Sequence, residues 1–122
     1  MTDQEQQVVD HVVKELTQSF PVQRIILFGS RARGEATGDS DYDFLVVMVL
    51  TQRRALAAME LRKTAYIPRV PMDFLVRSPI EWEAGFLLKK EILAEGKVVY
   101  EATDTRVGVQ SADRPNVSQG TV

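Results

Sequence analysis

Arg24-Ile25-Ile26-Leu27-Phe28-Gly29-Ser30-Arg31-Ala32-Arg33-Gly34, followed after a short polar loop by Ser40-Asp41-Tyr42-Asp43-Phe44-Leu45-Val46-Val47, sets the architecture of this chain. An apolar, β-branched run halts at a glycine and a small hydroxyl residue. After ten further residues a second apolar run opens with two carboxylates two positions apart. The pattern predicts a strand, a tight turn into a short helical segment, a loop and a second strand. Gly29 has no Cβ, so the backbone can turn sharply there and a ligand can come close. Ser30 opens the helical segment, where free backbone N–H groups and the positive end of the helix dipole attract anionic oxygen. Its hydroxyl can add a hydrogen bond, which makes Gly29 and Ser30 the candidate phosphate-binding residues.

Successive side chains on a strand point to opposite faces, so Asp41 and Asp43 share a face while Tyr42 points away. Two carboxylates on one face repel and raise each other's pKa. A hard cation such as Mg2+ removes that conflict, because it takes oxygen ligands and keeps waters and substrate phosphates in its shell. An isolated Asp-x-Asp reads more readily as a solvated strand end. Behind a strand and a Gly-Ser turn it reads as a metal site, and the whole points to a metal-dependent enzyme acting on a nucleoside triphosphate.

Val70-Pro71-Met72-Asp73-Phe74-Leu75-Val76 is a third strand-like run whose only charged interior residue is Asp73. Leu75 shares its face, and Met72 and Phe74 point the other way. A lone ionised side chain inside an apolar strand is costly unless paired or metal-bound. Asp73 is therefore a third candidate ligand, with pairing to Arg77, Arg69 or Lys63 as the alternative. Arg31 and Arg33 are candidates for contact with the triphosphate, or are solvated or paired with nearby acids.

Upstream, Thr2 and Glu5 form a capping box. Val8, Val9, Val12, Val13, Leu16 and Phe20 follow at helical spacing, which predicts a helix from about Asp3 to Ser19. His11, the only histidine, falls on this helix and is expected at the surface rather than in catalysis. Strands are expected over Arg24–Phe28, Tyr42–Val49, Val70–Val76 and Lys97–Tyr100. The second is apolar on both faces beyond Asp43, as in a central strand covered on both sides. Thr51 to about Ile67 reads as a helix with Ala55, Leu56, Met59 and Tyr66 toward the core. Ser78-Pro79-Ile80-Glu81 starts another, with a cap, a first-turn proline and an acid three residues after the cap. It is expected to run to about Glu95 and to stop at Gly96. Trp82 and Phe86, four apart, are read as core or interface residues. From Ala102 small and polar residues predominate without period, so 102–122 is expected to be a flexible tail. Residues 1–101 then form an α/β domain whose small mixed sheet carries all three acids at one end.

At 122 residues the chain suits one domain with a modest core. Its 44% hydrophobic and 26% charged content is that of a globular chain. The lack of cysteine excludes disulfides and thiolate metal sites. Met1 to Gln7 is polar and acidic, unlike a signal peptide, and the longest apolar run, Phe44 to Leu50, is too short to span a bilayer. A net charge of −2 lacks the basic footprint of a protein that tracks nucleic acid. A cytoplasmic protein without membrane or direct nucleic-acid contact is expected.

On Gly29-Ser30, Asp41-x-Asp43 and Asp73 the chain resembles the minimal nucleotidyltransferases, the small single-domain branch of the DNA-polymerase-β-like superfamily. More narrowly, it is similar to the antitoxins of HEPN/MNT toxin–antitoxin pairs. The likeness covers roughly residues 5–101 and keeps the three-acid pattern intact. It implies the polymerase-β-like fold, Mg2+ held by Asp41, Asp43 and Asp73, and Gly29 and Ser30 on the terminal phosphates. It also implies AMP transfer from ATP to a tyrosine of a HEPN-family ribonuclease toxin, the partner in a hetero-oligomer. Two other readings stand beside this one: a non-catalytic antitoxin that blocks its partner sterically, and a homodimeric transferase for a small molecule such as an aminoglycoside. Few residues are left over for an acceptor domain, so the acceptor is expected on another polypeptide.

Overall fold

β1 (Val22–Phe28) organises the sheet: β2 (Tyr42–Met48) and β4 (Lys97–Glu101) pair antiparallel on its two sides, and β3 (Met72–Arg77) runs parallel to β2. The strand order is β3-β2-β1-β4. In this computed structural model, which describes residues 1–102, the helices are α1 (Asp3–Ser19), α2 (Ser30–Arg33), α3 (Arg54–Thr64), α4 (Pro79–Ala84) and α5 (Lys89–Glu95). Alternation along the strands sends Ile25, Leu27, Phe44, Val46 and Val76 to the face covered by Val12 and Leu16 of α1 and Leu61 of α3. Ile26, Leu45 and Val47 face the other way, under Trp82 of α4 and Ile92 of α5. β2 is thus buried on both faces, as its unbroken apolar run predicts; Trp82 belongs to the core, and the half-buried Phe86 packs against it. Among the described residues no helix is long and apolar enough to cross a membrane.

α1 has the expected bounds and its capping box is formed: the Glu5 N–H donates to Thr2 Oγ1 at 3.1 Å, and the Thr2 N–H donates to the Glu5 carboxylate at 2.9 Å. Several features differ from the sequence reading. His11 is half-buried rather than at the surface, and its Nε2 is enclosed without a hydrogen-bond partner among the described residues. α3 is shorter than expected and turned about its axis. Ala57, Leu61 and Ala65 are buried, while Ala55, Leu56, Met59 and Tyr66 face solvent. Two small alanines flanking one leucine, four residues apart, let the helix sit closer to the sheet than the larger residues would.

β3 begins two residues late because Val70 donates to Ile67 O in a turn and Arg69 holds a positive φ of 67°. The helix expected from 79 to 95 is two. Gly85, at φ 93°, breaks it so that Trp82 and Ile92 can both reach the sheet. Of the expected tail only Ala102 is described, its N–H bonded to Gln23 O; residues 103–122 lie outside the described residues.

Candidate active site

The sheet gathers the polar signals at one end. Phe28, the last residue of β1, is the register partner of Asp43 on β2, and Asp43 is that of Asp73 on β3. In register on adjacent strands, Asp43 and Asp73 project to one face. Asp41 lies one residue before β2 and is exposed. Tyr42 between them points into the opposite core.

Gly29 joins this arrangement in an unexpected way. It sits at φ 74°, and a Cβ built on it would stand 2.3 Å from Asp43 Oδ2. The Asp43 carboxylate is folded against the bare glycine, so both backbone conformation and space require glycine here. The close approach anticipated for a ligand is made first by Asp43 itself. α2 then starts at Ser30 with no side chain capping it, and Gly34, left-handed at φ 76°, ends it after one turn. The Ala32 and Arg33 N–H groups bond back to Gly29 O at 3.0 and 3.1 Å, and the first two, those of Ser30 and Arg31, have no partner within the helix and are open to an anion.

Burial pushes the Asp43 carboxyl above its ordinary value; the charges of Asp73 and Asp41 add to this, and Arg33 partly offsets it. Asp73 is not a buried charge in need of rescue. Its side chain is 63% exposed, and Arg62, rather than Arg77, Arg69 or Lys63, pairs with it at 3.7 Å. Arg62 also donates to Met72 O at 3.3 Å. Among the described residues no three acidic or imidazole groups stand assembled as a metal site. The donor set nevertheless fits a hard divalent cation, since it consists of carboxylate oxygens. The like charges that raise the Asp43 pKa are also what a cation would relieve.

The two arginines of α2 part company. Arg33 is exposed and paired with Glu35 at 2.9 Å and Glu95 at 3.3 Å. Arg31, expected near a triphosphate, is turned toward α1: it donates to Glu5 at 3.0 Å, Ser40 O at 3.0 Å and Gly38 O at 3.4 Å. Its guanidinium lies 4.3 Å from the centre of the Tyr42 ring. Sequence reasoning missed Glu5, whose helix-capping role hid its second role, and Arg62 and Tyr66. The latter two line a cavity of about 320 Å³ with Asp41, Pro71 and Asp73, on the β3 side of the site.

A sequence comparison with curated proteins finds no match. Among solved structures the fold resembles that of a toxin–antitoxin complex with AMP-PNP, at 21% identity and TM-score 0.57 over 78% of this chain and 74% of that one. It also resembles a proposed nucleotidyltransferase of Sulfolobus solfataricus, at 22% and 0.59 over 84% and 86%. A third likeness is to the complex of a tri-AMPylated Shewanella oneidensis HEPN toxin with its MNT antitoxin, at 20% and 0.54 over 80% and 73%. The family model for the nucleotidyltransferase domain matches residues 9–100, a span that contains Gly29, Ser30 and all three acids, and the chain belongs to that family.

Proposed function

We propose that this nucleotidyltransferase, with residues 1–101 as its working unit, binds Mg2+–ATP and transfers AMP to a tyrosine of a HEPN-family toxin, acting as the antitoxin of that partner. The observation that carries the reading is Asp43, folded onto Gly29 beside an uncapped helix start and in register with Asp73. Asp41 and Asp43 would hold the metal, with Asp73 completing a second site; a divalent cation there neutralises charge on the phosphates. The Ser30 hydroxyl and the N–H groups beginning α2 hold the terminal phosphates, and Arg33 stands at the rim. The acceptor oxygen attacks the α-phosphorus, the bond to pyrophosphate breaks, and Asp73 takes the hydroxyl proton. Catalysis is mostly positioning and charge neutralisation.

The protein acceptor is supported by shared fold: one similar structure holds a tri-AMPylated HEPN toxin, and another holds AMP-PNP. We assign the pair to the cytoplasm, where ATP and the RNA that a ribonuclease toxin would cut are found together. Incubation with the product of the neighbouring gene, Mg2+ and ATP, followed by intact-mass measurement of that partner, tests the reading. One or more added AMP units, lost with Asp41→Asn/Asp43→Asn, are expected. Neutralisation at unchanged mass, equally by the double variant, overturns it in favour of steric blocking.

A further inference from the structure

Asp41 lies outside the β2 ladder, at the end of the loop that follows α2, and an exposed loop residue does not hold a ligand geometry by itself. Its immediate neighbour is gripped. Arg31 donates to the carbonyls of Ser40 and Gly38. Glu5, 26 residues earlier in the chain, holds the same guanidinium, with side-chain exposures of only 11% for Arg31 and 12% for Glu5. Arg31 Cζ lies over the ring of Tyr42, the residue after Asp41, 4.3 Å from its centre. The second Glu5 oxygen accepts the Thr2 N–H, so the start of α1 and the loop before β2 are joined through one side chain. The Arg31 Nε is enclosed without a hydrogen-bond partner among the described residues.

We infer that Arg31 is a positioning residue rather than a phosphate ligand: anchored by Glu5, it fixes the loop carbonyls on either side of Asp39 and thereby sets Asp41. A lysine cannot replace it, because a single ammonium lacks the planar fork that reaches Glu5 and two carbonyls at once while lying over Tyr42. The inference rests on the reading of Asp41 as a metal ligand, but the clamp itself is measurable without nucleotide.

Amide hydrogen exchange on the nucleotide-free protein, melting temperature, and calorimetric titration with Mg2+–ATP would be compared for wild type, Arg31→Lys, Glu5→Gln and the double variant. Glu5→Gln keeps an oxygen for the Thr2 N–H and removes the charge that anchors Arg31, so it separates capping from clamping. Both single variants should raise exchange across residues 36–41 by about tenfold with β1 unchanged. Both should weaken Mg2+–ATP binding by a similar factor, and the double variant should be little worse than either single one. If Arg31→Lys weakens ATP binding while loop exchange stays at the wild-type level and Glu5→Gln binds normally, Arg31 is a phosphate ligand and the inference fails. Loop exchange that rises in the variants of a wild type unable to bind Mg2+–ATP supports the clamp and sinks the nucleotide reading instead.

Discussion

The β1–β2 side and the β3 side of the acid-bearing end use the same residue types and are held in opposite ways. On the first, Asp43 is pressed onto Gly29, and Arg31 ties the following loop to α1 through a nearly buried ion pair. On the second, Asp73 is exposed, paired at 3.7 Å with a half-exposed Arg62, and opens onto a cavity beside the solvent-facing Tyr66. An ion pair buried from water contributes through geometry and is costly to break, whereas an exposed one contributes little. In the proposed reaction, folding alone prepares the side that takes the nucleotide, and the acceptor side is left open for a partner.

The comparison breaks most visibly at the acids themselves. Asp41→Asn/Asp43→Asn should lower the transfer rate by at least about a thousandfold with the circular dichroism spectrum unchanged. A rate within tenfold of wild type would remove the site from this end of the sheet.

Gly29→Ala comes next. It adds a Cβ 2.3 Å from Asp43 Oδ2 at a φ of 74°. The backbone strain alone is about 1–3 kcal/mol. Thermal denaturation should show a drop of roughly 5–15 °C, with transfer falling about a hundredfold as Asp43 is displaced. A variant as stable and active as wild type would show that Asp43 does not rest there.

On the open side, Arg62→Ala should cost less than about 1 kcal/mol, because both partners of its ion pair are well exposed. Its melting temperature and Mg2+–ATP affinity should stay near wild type. A loss as large as that of Gly29→Ala would erase the difference between the two sides.

The smallest effect is on pH. A raised folded pKa at Asp43 means that the native state holds its proton to higher pH than the unfolded chain. Its contribution to stability is therefore full below the ordinary aspartate value and is lost as pH rises through the raised folded one. Asp43→Asn should melt slightly higher than wild type at neutral pH, an advantage that fades as pH falls through the raised Asp43 value and is gone below the ordinary one. Glu5 runs the other way: the Thr2 N–H and then Arg31 hold its pKa below the usual value. The stability it contributes is present above the ordinary glutamate value and is lost as pH falls through the folded one. A pH series of melting curves for wild type, Asp43→Asn and Glu5→Gln resolves the two signs.

What could be read from sequence is what short-range chemistry decides. The Thr2–Glu5 capping box, the halt of β1 at Gly29 and the doubly apolar β2 are local patterns, and the structure repeats them. The facing of α3 was not legible, because two apolar stripes compete on that helix and packing against the sheet selects the one with small residues. The break at Gly85 has no local signal, because it answers to Trp82 and Ile92 meeting the same surface. The partners of Arg31 and Asp73 were missed for a related reason. Glu5 lies 26 residues from Arg31, and Arg62 reaches Asp73 only after α3 has folded onto β3. Spacing located the acids; tertiary contacts determine how each is held.

Isothermal titration of the isolated chain with Mg2+–ATP, with no partner present, bears most directly on a nucleotide site built by folding alone. Wild type should bind in a metal-dependent manner, and Asp41→Asn/Asp43→Asn should show no binding while its circular dichroism spectrum stays that of wild type. Equal, metal-dependent binding by both proteins would contradict the assignment of these acids and of the site built around them.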